Sequence, residues 1–265
     1  MSPSNESLHR VALLASQVIH SPGWPATVLS IHEIKTHCEL CRSREVCITI
    51  GLAAEVMQAL DDTFAGQTRL QRGDTLYRAG DPFSALYAIR LGSFKTTIVT
   101  EDGRDQITGF HMFGDIIGLD GILSEHHACE AVALEDTEVC ALPFEQLEEL
   151  ARTFPPLQHN LHHLLSRDIG RVQSMMITLG SRRAEERLAE FLINLSERYS
   201  RRGYSSTEFV LRMTRKEIGS YLGLKLETVS RLFSNFQEGG LLQALGRTVK
   251  ILDLSALRQL AQCRN

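Results

Sequence analysis

At 265 residues, with 43% hydrophobic and 23% charged side chains, the chain has room for two domains with cores of their own and the composition of an ordinary globular protein. No apolar run approaches the ~20 residues that span a bilayer, and the first residues lack the charged, apolar and small-residue pattern of a secretory signal, so a cytoplasmic protein with no membrane partner is expected. The net charge of −4 is unevenly divided: residues 1–181 carry 13 Lys and Arg against 23 Asp and Glu, while residues 182–265 carry 15 against 9, so only the last third is suited to a polyanion.

Residues 1–34 read as an extension. Leu8, Val11, Ala12, Ala15, Val18 and Ile19 recur at helical spacing, and Ser21-Pro-Gly-Trp-Pro25 then breaks the pattern. Residues 35–50 form a polar, cysteine-rich segment in which Cys38, Cys41 and Cys47 follow a C-x2-C-x5-C spacing. Cys38 and Cys41 are too close to bridge without a special turn, and a third thiol is left over. Crowded thiolates repel unless a cation neutralises them, so the chemistry points to a metal or iron–sulfur site. A fourth ligand must come from elsewhere, from Cys129, Cys140, Cys263 or His37. Spacing alone leaves iron–sulfur, zinc and thiol redox chemistry all open.

Residues 51–154 are expected to form a β-roll. Leu52, Val56, Leu60 and Phe64 have the spacing of one lead-in helix. Short apolar runs then alternate with glycine turns: Thr75–Arg78, Leu86–Arg90, Phe94–Thr100, Gln106–Phe110, Ala131–Leu134 and Val139–Leu142. Strands at roughly ten-residue intervals read as a jelly roll, and Cys140 lies on a late one.

Pro155-Pro156 open a long helix over 155–181, proline being tolerated in a first turn. Leu157, Leu161 and Leu164 form one stripe, suited to the β-roll. Leu165, Ile169, Val172, Met176 and Leu179 step by four and three, the pattern of a coiled-coil seam in a homodimer.

Residues 182–265 form the basic domain. Thr214 and Glu217 make a capping box, Ile218, Tyr221 and Leu222 an apolar face, and Gly223 the turn into a second helix with Val229, Leu232 and Phe233 inward. That second helix exposes Glu227, Thr228, Ser230 and Arg231, side chains able to read base edges: Arg is bidentate on guanine and Glu accepts from cytosine. Arg215, Lys216, Lys225 and Arg247 suit phosphate contacts. Gly239-Gly-Leu-Leu242 and Leu245-Gly-Arg-Thr-Val-Lys-Ile-Leu252 supply a short hairpin, a wing. The fold class is therefore α+β: an N-terminal β-roll sensor, a long dimerisation helix and a C-terminal winged helix-turn-helix on double-stranded DNA.

A cysteine-rich N-terminus, β-roll, dimer helix and winged helix-turn-helix in this order resemble the FNR family (fumarate and nitrate reduction regulators) within the CRP/FNR superfamily. Leu86-Tyr-Ala-Ile-Arg90, Gln106-Ile-Thr-Gly-Phe-His111, Val139-Cys-Ala-Leu-Pro-Phe144, Ala184-Glu-Glu-Arg-Leu188 and the run from Tyr221 to Arg231 carry the likeness. The resemblance implies that Cys38, Cys41, Cys47 and Cys140 hold an oxygen-labile [4Fe-4S] cluster, with Cys129 outside the ligand set. It also implies that Glu227, Ser230 and Arg231 read a TTGAT-like half-site in a palindrome, and that the dimer activates anaerobic genes with RNA polymerase. A zinc-stabilised or thiol-redox regulator of the same fold is the alternative.

Two departures stand out. Gly114-Asp-Ile-Ile-Gly118 is followed by Ser124-Glu-His-His-Ala-Cys-Glu130 without the arginine that would face a cyclic nucleotide's phosphate, so no cyclic nucleotide is expected. Val172 stands where family members often carry an acidic seam residue, so the dimer is expected to outlast the cluster. No nucleophile elbow, phosphate loop or His-Glu-x-x-His motif suggests an enzyme.

Overall fold

The computed structural model describes residues 38–64, 66–99, 103 and 105–262. The amphipathic pattern of residues 8–19, His37 and Cys263 lie outside the described residues. The chain divides into two compact units, one of residues up to Ile98 with Gly109–Arg167, the other of Val99–Thr108 with Asp168–Asn265. The division falls within the long helix rather than at its end.

The first unit begins with a single 3-10 turn at Cys38–Leu40 and a series of tight turns through Gly51. Helix α1 (Ala54–Thr63) follows, its Val56, Met57, Ala59 and Leu60 buried. Strands β1 (Gln67–Leu70), β2 (Thr75–Tyr77), β3 (Ala85–Leu91), β4 (Ser93–Val99), β5 (Asp105–Met112), β6 (Ile116–Ile117), β7 (Glu130–Ala133) and β8 (Thr137–Pro143) build two four-stranded sheets, ordered β1-β8-β3-β6 and β2-β7-β4-β5. The recorded pairings are antiparallel, as a jelly roll requires. Tyr77, Ile89, Phe94, Ala131 and Val139 fill the space between the sheets.

Helix α2 (Phe144–Thr153) and the long α3 (Pro155–Ser181) come next. They close a second core with α1, in which Leu60, Leu86, Leu142, Leu147, Leu157 and Leu161 are buried. Burial of five fully enclosed leucines at about 1.5–3 kcal/mol each is a large fraction of what holds a domain together. The inward stripe of α3 is thus where the leucine spacing places it.

In the second unit α4 (Ala184–Ser200) buries Leu188, Ala189 and Leu192. After β9 (Glu208–Val210) come α5 (Arg215–Leu222), α6 (Leu226–Glu238), β10 (Leu242–Leu245), β11 (Thr248–Ile251) and α7 (Leu254–Gln262). Strands β9, β10 and β11 form one antiparallel sheet, with β11 in the middle. The wing expected from the sequence is its β10–β11 hairpin.

Candidate cofactor site and nucleic-acid interface

Among its described residues the cysteine segment has no long helix or strand, so its shape is held by side-chain hydrogen bonds, most of them to other elements. Both oxygens of Asp61, on α1, accept the Cys38 N–H, at 2.9 and 3.1 Å. Ser43 Oγ donates to Arg90 O on β3 at 3.3 Å, and Thr49 Oγ1 to Arg44 O at 3.3 Å. Val46 seats on Gly114, whose φ of +83° and lack of a side chain leave the space that Val46 fills. The most consequential tie is Asn160 on α3, whose Nδ2 donates at 2.8 Å to both Ile48 O and Ile50 O, just after Cys47.

Cys140 reaches the same place by a different route. It sits inside β8, opposite Gln67 of β1 and Ala88 of β3. The four thiols then act on one another. Burial raises the Cys38 thiol far above its ordinary range, helped by Asp61 and by the nearby Cys47 and Cys140. Burial pushes Cys47 up to about 11, with Cys41 adding to the rise against hydrogen bonds from Ile48 and Thr49. Cys140 is pushed up to about 12, mainly by burial and then by Cys47 and Cys41, while Arg90 works the other way. Left to themselves Cys38, Cys47 and Cys140 stay protonated at neutral pH. Among the described residues no three His, Cys, Asp or Glu side chains close on a single ion. What the four thiols share is neighbourhood and electrostatics, not a finished coordination sphere.

Cys129 belongs to another cluster. Its Sγ lies 3.4 Å from Asp120 Oδ2, which also accepts the Ala128 and Cys129 N–H groups. His127 is buried, stacked on Tyr77 with ring centroids 3.7 Å apart, its Nδ1 3.6 Å from Asp120. Burial opposes the charge of Asp120, yet His127, Cys129 and the Ala128 N–H outweigh it and hold the carboxyl below its usual range.

On the second unit the helix-turn-helix forms from its local chemistry. Thr214 Oγ1 accepts the Glu217 N–H at 3.2 Å, and Glu217 Oε2 accepts the Thr214 N–H at 2.7 Å, completing the capping box. Gly223 turns the chain at φ +64°. Val229, Leu232, Phe233 and Phe236 bury one face of α6, which leaves Glu227, Ser230 and Arg231 exposed on the other. Lys216, Lys225 and Arg247 are exposed as well. Arg215 differs: its guanidinium lies over the Phe233 ring, 3.1 Å from the centroid, and burial lowers its pKa to about 10. It braces α5 against α6. Sequence spacing could not show this, because the contact exists only once the two helices have packed.

On α3 the second stripe is open. Ile169, Val172 and Met176 are 59%, 56% and 69% exposed, with Leu165 and Leu179 half-buried and Ile177 exposed beside them.

A β-roll followed by a winged helix-turn-helix with an exposed polar face on its second helix defines a DNA-binding regulator. The profile of the cyclic nucleotide-binding domain matches residues 67–154, and that of the Crp-like helix-turn-helix domain matches residues 186–260. The transcriptional regulatory protein btr of Bordetella pertussis is 48% identical over 84% of this chain and 93% of its own length. The transcriptional activator protein FnrA of Stutzerimonas stutzeri is 46% identical (86% and 93% covered). The fumarate and nitrate reduction regulatory protein of Escherichia coli K12 is 44% identical (85% and 90%). Among solved structures, FixK2 from Bradyrhizobium japonicum superposes with a TM-score of 0.69 at 28% identity, covering 75% of this chain and 98% of that one. The chain belongs to the CRP/FNR family. It is an FNR-type transcription regulator, not an enzyme. Among the described residues no helix is long and apolar enough to cross a membrane.

Proposed function

We propose that this regulator senses oxygen through a [4Fe-4S] cluster held by Cys38, Cys41, Cys47 and Cys140. As a homodimer it reads palindromic DNA with TTGAT-like half-sites and controls anaerobic genes through RNA polymerase. The observation that carries the reading is the mutual influence of four thiols drawn from two separate segments. The donor set suits the group: four cysteine sulfurs, of which Cys38, Cys47 and Cys140 are costly to ionise unless a cationic centre takes them up. When bound, the cluster supplies reactivity toward oxygen. The chain's own part is positional. Asn160 ties the backbone beyond Cys47 to α3, so any change in the path of residues 47–50 alters the acceptors that α3 holds.

Glu227, Ser230 and Arg231 read bases, and Lys216, Lys225 and Arg247 position the phosphates; Arg215 supports α6 from behind. Cyclic nucleotide is not the signal, because an ionised Asp120 and no arginine occupy the turn and loop after Gly118. The seam of Leu165, Ile169, Val172, Met176 and Leu179 carries no charge and holds the dimer even without the cluster.

Two measurements test this. Protein purified without air should show broad visible absorption with iron and sulfide in equal amounts; stoichiometric zinc without sulfide would overturn the cluster. Air-exposed protein should still sediment as a dimer at micromolar concentration, and Val172→Asp, which sets two like charges face to face, should sediment as a monomer. An air-exposed wild type that sediments as a monomer would overturn the seam argument.

A further inference from the structure

Two helices of the second unit end at one place. α3 runs out at Ser181 and α5 at Leu222, and the last four carbonyls of each lack partners within their own helix. Each end also carries the partial negative charge of its helix dipole. The guanidinium of Arg187, on α4, fills the space between them. Its Nη2 donates to Leu179 O at 2.8 Å, its Nη1 to Leu222 O at 3.0 Å, and its Nε to Arg182 O at 2.9 Å in the link between α3 and α4.

The contact is close on every side. A Cβ placed on Gly223, the turn between α5 and α6, would meet Arg187 Nη1 at 3.4 Å and Leu179 Cδ2 at 3.5 Å. The platform beneath it is firm, since Leu188 and Ala189 beside Arg187 are fully buried. Three acceptors in three directions suit a planar fork with five donors, whereas a lysine ammonium on a flexible stem would reach fewer of them in that geometry. One side chain thus joins the end of the seam helix to the turn from which the recognition helix departs.

We propose that Arg187 is a positioning residue that fixes the direction of α6 relative to α3, and so sets the half-site spacing that the dimer accepts. The inference rests on the homodimer and palindrome reading above. In a dimer the two α3 helices define the two-fold axis, and the departure of each α6 from its own α3 fixes the separation and phase of the two reading heads. DNA turns once in about 10–10.5 base pairs, so one added base pair rotates a half-site by ~35°. A fixed angle rejects that change, and a loosened one tolerates it.

The test uses full-length protein purified without air, as wild type, Arg187→Ala and Arg187→Lys. Binding by fluorescence anisotropy is compared on palindromes with the favoured spacer, on spacers longer or shorter by one and two base pairs, and on a single half-site. Circular dichroism checks the fold. Arg187→Ala should lose about tenfold on the favoured spacer, in line with the loss of charged hydrogen bonds. Its affinity for the single half-site should stay the same, so that its preference among spacers flattens, with Arg187→Lys falling between. An equal loss on every DNA, half-site included, would mark Arg187 as merely structural and overturn the proposal, as would an intact spacer preference in Arg187→Ala. If Arg187→Ala does not fold, Arg187→Lys is judged by the same criterion. A wild type indifferent to spacing would overturn the palindrome reading and the clamp with it; a wild-type preference that survives in the variants overturns the clamp alone.

Discussion

The helix-turn-helix and the cysteine segment are built on opposite principles. The first is regular and self-supporting: Thr214 and Glu217 cap each other, Gly223 makes the turn, and Val229, Leu232, Phe233 and Phe236 bury one face. The second has only tight turns, and borrows its order from Asp61, Arg90, Gly114 and Asn160, all distant in sequence. A reading head must present the same side chains every time, so local rigidity serves it. On the sensing role proposed above the cysteine segment must be able to change path, and a loop held by a handful of side-chain bonds can do so at modest free-energy cost.

The sharpest break in that comparison is chemical. Ser at any one of Cys38, Cys41, Cys47 or Cys140 should abolish the visible absorption of anaerobic protein altogether, while Cys129→Ser should leave it intact, since Cys129 is engaged with Asp120 instead. Specific DNA binding by air-free Cys129→Ser should likewise match wild type.

Next in size are changes of about 1–3 kcal/mol, two in the helix-turn-helix and one beside the cysteine segment. Arg231→Ala should cost that much on the cognate palindrome and relax discrimination at one guanine. Lys216→Ala should weaken all sequences alike and reduce the salt slope by about 1. Equal loss on specific and random DNA for Arg231→Ala would remove it from the reading set. In the sensor region Gly114→Ala should destabilise the first unit by about 1–3 kcal/mol, since a side chain at φ +83° is strained and would run into Val46. Chemical denaturation should show that loss in the first unit only.

The smallest expected effect is on the cap. Thr214→Ala should lower the stability of the second unit by about 1 kcal/mol, visible as a modest fall in its thermal midpoint. A drop of similar size in the first unit would mean that the two regions are less independent than their construction suggests.

The same contrast explains what could be read from the sequence. Capping box, turn glycine and apolar face of the helix-turn-helix are local signals, and the structure places each as expected. The leucine stripe of Leu157, Leu161 and Leu164 and most strands of the β-roll were legible by periodicity. Three kinds of element were not. β1 is short and polar at Gln67, Thr68 and Arg69, and β6 has only two residues, so neither offers alternation to detect. α2 places Leu147, Leu150 and Ala151 inward among three glutamates, and α7 follows the wing without a strong start signal. Contacts between elements were the rest: Arg215 on Phe233, Asn160 on the cysteine segment, and Cys129 on Asp120. Register carries such information, and register is a tertiary property.

Asn160 sets how closely the cysteine segment sits on α3. Both protons of its Nδ2 are committed, one to Ile48 O and one to Ile50 O. Its side chain therefore works as a ruler, fixing a distance between a backbone loop and a helix. Glutamine would lengthen the ruler by about 1.5 Å, one carbon–carbon bond, while keeping the same amide. Aspartate would keep the length but offer oxygens to oxygens, turning two attractions into two repulsions. At this position the seat of the cysteine segment on α3 is written as a length, open to adjustment one bond at a time.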